Sequence, residues 1–223
     1  MKNKEDKKEN IWQIKELKEK IVRLNGLRLF NLNVPRFFYL QKRASDDDFD
    51  RCLEWAEEIK KENLEQIFNI RTYDYQQIEK IEQLSCPHHT DISTIHNLEK
   101  ILWNLNGEYY CMVDAEIPDD GRYAGNVRIY KDLSISTDLR FNIDYCKKEK
   151  RAMVRDADIS ISGIIDQYYE DLVLTNVLEV AKGFIEEKGF LNNHPSVIME
   201  WTYFCKKTGT RGENLVWWEY RLK

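Results

Sequence analysis

The chain has 223 residues, of which 42% are hydrophobic and 12% aromatic, so it is long enough to bury a sizeable core as one large or two small domains. Its 34 basic and 39 acidic residues are well mixed and give a net charge of -5, which argues against a broad electrostatic footprint for duplex nucleic acid. No run approaches the roughly 18 to 20 apolar residues of a membrane span, and the lysine-rich start lacks the apolar segment of a signal peptide, so we expect a cytoplasmic protein.

The first half of the sequence predicts helices and strands in alternation. Residues 1–10 are almost all charged or amidic and predict a flexible N-terminus, after which apolar residues at three- and four-residue spacings predict a helix over 11–24. RFFYL predicts a strand after a proline, and Ser45 predicts the N-cap of a helix over 46–61. FNIRTYDY predicts a second strand, residues 76–94 an irregular segment, and TIHNLEKILWNL another helix.

The second half predicts a mainly antiparallel arrangement. EYYCMVDAEI predicts a strand closed by a turn at 118–121, and the alternating runs of 125–145 predict an antiparallel meander. DLVLTNVLEVAKGFIEEKG predicts a long helix ended by Gly189, and residues 197–221 predict a closing hairpin. The pattern indicates an α+β protein with antiparallel sheets and packed helices, and no internal domain boundary is evident.

The closing hairpin carries polar residues that an apolar strand does not need. If its two strands pair, Glu200 and Glu219 lie on adjacent strands, and period-two alternation places Glu219 and Arg221 on one face with Trp218 and Tyr220 on the other. Converging carboxylates suit Mg²⁺ or Mn²⁺ held jointly with phosphates, and a nearby arginine complements a phosphoryl group. The alternative is a solvated face with a cross-strand glutamate–arginine pair.

Two segments in the first half of the chain fit a pattern that begins GGKxxNLxxLxxxGxxVPxGF and continues in a strand reading VRSS. Lys20 stands 14 residues before the pair VP at 34–35, the separation that the pattern requires. FNIRTYD is similar to the strand, with Arg71 in the arginine position. The segment CMVDAEIPDDGRYAGNV is similar to a later strand, turn and AG-V step of the same pattern.

The hairpin completes this pattern, since MEW at 199–201 and WEYR at 218–221 are similar to its closing DIEWA and QxRP. Together the segments resemble the ATP-grasp nucleotide-binding domain of the pyruvate phosphate dikinase and phosphoenolpyruvate synthase (water dikinase) family. The resemblance implies an ATP- and Mg²⁺-binding protein, with a phosphotransferase activity as the expected chemistry.

The resemblance also implies a role for each matching residue. Lys20 is expected to reach nucleotide phosphates, and Arg71 to contact the phosphates or stabilise transferred charge. Glu200 and Glu219 are expected to hold magnesium, and Arg221 to face the γ-phosphate. Two cations from the chain and one metal would supply the positioning and charge neutralisation that phosphoryl transfer requires.

The implied architecture is a single ATP-grasp-like domain over 11–223, with an N-terminal lobe of about 11–105, a C-terminal lobe of about 106–223 and ATP between the lobes. The sequence departs from the family where Lys18-Glu19 replace two glycines, where Glu219 replaces a glutamine and where Leu222 replaces a proline. Complete enzymes of the family carry a separate phosphohistidine domain and a barrel that binds phosphoenolpyruvate. We therefore expect this chain to act with a protein partner that supplies the acceptor or phosphohistidine domain, to modify another acceptor, or to keep the fold without the activity.

Two further segments allow more than one interpretation. SCPHHTDISTIH gathers Cys86, His88, His89 and His96, which could bind zinc, although the spacing fits no common zinc pattern. The favoured alternative is a polar loop in which one histidine caps or packs and the others are solvated. The basic stretch 147–158 could contact single-stranded nucleic acid through residues 147–155, which would make the chain a non-catalytic interaction module, or it could be a lysine-protected hairpin edge. Arg128 could point into the same cleft as Arg71 and contact the nucleotide.

Overall fold

The computed structural model describes residues 20–74, 87–116, 121–131, 138–147 and 159–223. The predicted flexible N-terminus, the start of the first helix, most of the turn at 118–121, Cys86 and most of the basic stretch lie outside these residues. The chain divides into two compact units. The first unit comprises Met1–Val22 and Pro35–Pro118, and the second comprises Arg23–Val34 and Asp119–Lys223.

The first unit contains a four-stranded antiparallel sheet with strand order β1-β4-β2-β3. Its strands are β1 (Arg36–Leu40), β2 (Ile67–Asp74), β3 (His88–Ile92) and β4 (Tyr109–Glu116). Its helices are α2 (Asp46–Glu62) and α3 (Ile95–Leu105), while α1 covers residues 20–29 and contributes residues to both units.

Side-chain caps begin both helices of the first unit. The Ser45 hydroxyl accepts the backbone N–H of Asp48 at 3.2 Å, and the Thr94 hydroxyl accepts that of Asn97 at the same distance, so each satisfies an amide that the first helical turn leaves without a partner. The helices bury their apolar faces together with apolar residues of the sheet. This core is formed by Leu40, Phe49, Cys52, Ala56, Ile59, Phe68, Ile70, Ile92, Leu98, Leu102, Leu105, Cys111, Val113 and Ala115. The strands predicted at RFFYL, FNIRTYDY and EYYCMVDAEI and the helices predicted at 46–61 and TIHNLEKILWNL are confirmed.

One prediction in the first unit is wrong, because residues 88–92 form strand β3 rather than an irregular segment. β3 pairs with β2, and the register shifts between Phe68 and Ile70. Asp91 adopts a left-handed conformation at φ 58°, and its backbone N–H donates to the Asn69 side chain at 3.2 Å. Histidine and aspartate have weak strand propensity, so pairing with the neighbouring strand decides the conformation here.

The second unit contains a five-stranded antiparallel sheet with strand order β7-β6-β5-β8-β9. Its strands are β5 (Gly121–Lys131), β6 (Leu139–Lys147), β7 (Ile159–Ile164), β8 (Ser196–Thr208) and β9 (Glu213–Leu222). Helix α4 (Leu172–Lys188) begins at an Asp171 cap and ends at Gly189, whose φ of 62° suits glycine. The meander, the long helix and the closing hairpin are thus confirmed, and so is the α+β class with two antiparallel sheets. None of the described helices is long and apolar enough to cross a membrane.

A buried asparagine holds the turn of the β8–β9 hairpin. Asn33 is 1% exposed, and its side-chain amide donates to the carbonyl oxygens of Thr208, Leu215 and Glu213 at 2.8, 3.0 and 3.1 Å. Its side-chain oxygen accepts the backbone N–H of Arg211 at 2.8 Å. One side chain therefore satisfies backbone groups on both strands and in the turn between them.

Gly209 allows this close approach. Its φ is +77°, and a Cβ atom added there would lie 2.5 Å from the Asn33 side-chain oxygen and 2.8 Å from the Val34 carbonyl oxygen. A larger residue would meet both the steric contact and the strain of a left-handed backbone.

We predict that Asn33→Ala lowers the free energy of unfolding by about 2 to 4 kcal/mol, because buried carbonyl groups lose their donor. Chemical denaturation of the purified variant measures this change. Asn176→Ala, at an exposed position of α4, is the matched control and is expected to change stability by under about 0.5 kcal/mol. Equal stabilities of the two variants would contradict the assigned role of Asn33.

Candidate functional site

A continuous row of polar residues crosses all five strands of the second unit. Glu200 on β8 is paired with Glu219 on β9 and with Asn126 on β5. Asn126 is paired in turn with Asp144 on β6, and Asp144 with Ser160 on β7. Directly paired residues lie on the same face with Cβ atoms about 4.5 to 5.5 Å apart. The register therefore brings Glu200 and Glu219 together, as the sequence predicts.

A second row, displaced by two residues along the strands, carries positive charge. Arg128 on β5 is paired with Asn142 and with Ile198, and Ile198 is paired with Arg221. Because side chains two residues apart share a face, both rows lie on the same side of the sheet. The Arg128 guanidinium donates through Nε to the Ser196 hydroxyl at 3.0 Å. This face thus sets a row of oxygen ligands beside a row with two arginines.

Helix α4 lies on the other face of the sheet. Tyr220, which alternates with the residues of the two polar rows on β9, packs its ring against Phe184 of α4 at a centroid distance of 5.3 Å. The helix therefore packs against the face opposite the two polar rows.

Glu219 lies between two arginines. Its side chain is 10% exposed, Arg23 Nη1 is 3.3 Å from one carboxylate oxygen, and Arg221 Nη2 is 3.2 Å from the other. Arg221 lies two residues along the same strand, so this ion pair differs from the cross-strand pair that the sequence suggests as an alternative. The two guanidinium groups offset the charge of a mostly buried carboxylate and fix its orientation.

The prediction that Trp218 faces away from Glu219 is wrong. The register shifts after Glu200, so Trp218 is the extra residue of a bulge on β9. Its indole N–H donates to the Thr202 hydroxyl at 2.8 Å, and Thr202 shares the face of Glu200 by alternation. The bulge therefore places the Trp218 indole on the same face of the sheet as the two carboxylates.

In the first unit, a buried carboxylate orients Arg71. Asp114 is fully buried and accepts hydrogen bonds from Asn69 Nδ2 at 2.9 Å and from Arg71 Nε at 3.2 Å. Across the described residues, this contact through Nε is the one hydrogen bond of the Arg71 side chain. A guanidinium held through Nε suits bidentate contact with a planar or tetrahedral anion through its terminal nitrogens.

Lys20 and Arg71, the two cations predicted to contact phosphate, both act on His88. The pKa of His88 is lowered first by partial burial of the ring and then by the positive charges of Arg71 and Lys20, while a backbone hydrogen bond at Ile70 opposes the shift. His88 is the direct cross-strand partner of Arg71. The first unit thus concentrates positive charge at one side of β2.

The described residues include two paired carboxylates, Glu200 and Glu219, that could ligate a metal ion. Across the part of the chain that the structure describes, no group of three or more histidine, cysteine, aspartate or glutamate side chains is placed to hold a metal ion. His88 and His89 are paired with Arg71 and Ile70, so they point to opposite faces of β3, and Cys86 lies outside the described residues. Glu200 and Glu219, with the Asn126 amide beside them, offer the oxygen donors that Mg²⁺ accepts together with phosphate and water.

No protein-family model and no curated protein matches the sequence. Among solved structures, the fold is similar to D-alanyl-alanine synthetase A of Vibrio cholerae, with a TM-score of 0.48 and 8% identity over 91% of this chain and 54% of that one. It is similar to N5-carboxyaminoimidazole synthetase of Staphylococcus aureus, solved with ADP, with a TM-score of 0.47 and 8% identity over 92% of this chain and 43% of that one.

A third similar structure is ACD1 of Ca. Korarchaeum cryptofilum in complex with coenzyme A, with a TM-score of 0.48 and 9% identity over 90% of this chain and 89% of that one. The chain spans about half the length of the first two structures.

The polar rows of the second unit and the hydrogen bonds around Asp114 in the first unit include residues that the sequence analysis does not single out. Asn69 and Asp114 stand at polar positions within apolar strands, and Asn126 and Asp144 alternate with buried residues. A polar residue within an otherwise apolar strand was the available signal. These residues meet only because particular strands pair in a particular register. Local sequence patterns do not specify that pairing.

The lowered pKa of His88 predicts a pH-dependent stability. Because the unfolded chain binds a proton at this residue more readily than the native one, stability relative to His88→Gln should fall as the pH drops through about 6.5. Denaturant unfolding of both proteins between pH 8 and 5 measures the difference. A difference that stays constant with pH would contradict the assigned shift.

Proposed function

We propose that this chain is an ATP- and Mg²⁺-binding protein with an ATP-grasp-like fold. The observation that carries the proposal is the pairing of Glu200 with Glu219 on adjacent strands, beside a row that contains Arg128 and Arg221. Paired carboxylates suit a divalent ion that is held jointly with phosphate oxygens.

In the first unit, Arg71 and Lys20 are cations that suit phosphate groups. Arg71 is held through Nε by the buried Asp114 and presents its terminal nitrogens, and Lys20 adds a second positive charge near the same residues. Arginine suits bidentate binding of phosphate oxygens, and lysine acts as a point charge. The arrangement supports the roles that the sequence predicts for both residues.

The second unit supplies the metal ligands. Glu200 and Glu219 would hold Mg²⁺, which neutralises phosphate charge when bound and makes the terminal phosphorus a better electrophile. Arg23 and Arg221 orient the Glu219 carboxylate. Arg128 and Arg221 lie on either side of Ile198 and can contact an anionic acceptor or the γ-phosphate.

The proposed reaction class is phosphoryl transfer to an acceptor that a partner or another substrate supplies. The chain's own residues position charge, since phosphoryl transfer depends mainly on alignment and on neutralisation of negative charge. The alternative role, a nucleic-acid-binding module through residues 147–155, falls on a segment that lies mainly outside the described residues.

We predict that saturating ATP with Mg²⁺ raises the melting temperature, and that ATP with EDTA raises it less, because a ligand that binds only the native state stabilises it. Glu200→Gln and Glu219→Gln should each weaken Mg²⁺-dependent ATP binding by roughly ten-fold or more, since each removes one charged ligand. Isothermal titration calorimetry measures the affinity, and thermal shift gives an independent readout.

Glu187→Gln, on the exposed side of α4, is the matched control and should bind as the wild type does. Lys20→Gln should weaken ATP binding with or without the metal, which separates loss of a phosphate contact from loss of a metal ligand. The proposal fails if ATP and Mg²⁺ leave the melting temperature unchanged, or if both glutamate variants bind like the control.

A further inference from the structure

His88 stands directly opposite Arg71 in the β2–β3 pair, so the two side chains share a face of the sheet. β3 is an edge strand, and the His88 side chain is exposed, which leaves it accessible to a ligand. His88 therefore belongs to the same cationic cluster as the residues that we assign to phosphate binding.

The charged groups that act on the His88 ring favour its neutral form. Arg71 lies across from it on β2, Lys20 approaches from α1, and His89 is its neighbour on β3. The Asp114 carboxylate is bound to Asn69 and to the Nε side of Arg71. Without an anion, a proton on His88 would stand opposite a guanidinium group, and like charges directly opposite each other are destabilising.

A bound polyphosphate reverses this balance. An anion between Arg71 and His88 makes a second positive charge favourable, and the imidazolium form can donate a charge-assisted hydrogen bond to a phosphate oxygen. We propose that His88 is a third phosphate-contacting residue, which takes up a proton when the nucleotide binds and so makes affinity for the triphosphate rise as the pH falls. This inference rests on the proposed ATP binding and adds a proton-linked contact to it.

The direction of the pH dependence follows from linkage. A group that is protonated more readily in the complex than in the free protein strengthens binding at pH values where the proton is bound, and the gain disappears as the pH rises through the pKa of the complex. The nucleotide's own phosphates also titrate in this range. Comparison of two proteins at the same pH cancels that contribution.

The test is isothermal titration of Mg²⁺ and ATP into wild type, His88→Gln and His89→Gln at pH 6.0 and pH 8.5. His89→Gln is the matched control, because its side chain points to the opposite face of the same strand, where its partner is the buried Ile70. At pH 6.0 we expect His88→Gln to bind about five-fold more weakly than wild type, and at pH 8.5 the two should bind alike. His89→Gln should follow the wild type at both values.

Repeating the pH 6.0 titration in buffers of different ionisation enthalpy should show proton uptake by wild type beyond that of His88→Gln. Equal affinities of wild type and His88→Gln at pH 6.0, or an equal loss at both pH values, would overturn the inference while ATP binding stands. Failure of the wild type to bind ATP at either pH would overturn the proposed function itself.

Discussion

The register of the β8–β9 hairpin is the constraint on which the candidate site depends. A shift by one residue would send Glu219 to the face that α4 covers and remove it from Glu200. The buried Asn33 amide forms hydrogen bonds to both strands of the hairpin. The bulge at Trp218 shifts the register by one residue, so that Glu200 pairs with Glu219 while Trp201 pairs with Trp217. The hydrogen bonds that stabilise the hairpin thus also determine which two carboxylates meet.

The two units reach their charge arrangements by different physical means. In the first, a fully buried carboxylate, Asp114, fixes the direction of Arg71 and gathers positive charge near Lys20 and His88. In the second, cross-strand pairing aligns acids in one row and arginines in the next. The first arrangement suits the binding of phosphate groups, and the second suits the binding of a divalent metal.

Helix caps, helix ends and strand alternation depend on neighbouring residues, so the sequence alone predicts them. The Ser45 cap, the Gly189 helix end and the period-two alternation around Glu219 each predict what the structure shows. β3 was missed because its conformation comes from pairing with β2, and the position of Trp218 was missed because a bulge breaks the alternation that predicts it. Asp114 was missed as well, because it reaches Asn69 and Arg71 only when β4 pairs with β2.

The central claim is that Glu200 and Glu219 hold the divalent ion that accompanies the nucleotide. A crystal structure with a non-hydrolysable ATP analogue and Mn²⁺ tests it most directly, because the anomalous signal of manganese locates the ion independently of the protein. The account predicts the ion about 2.0 to 2.3 Å from carboxylate oxygens of both residues, with phosphate oxygens completing its shell. An ion bound elsewhere, with both carboxylates still turned to protein partners, would contradict it.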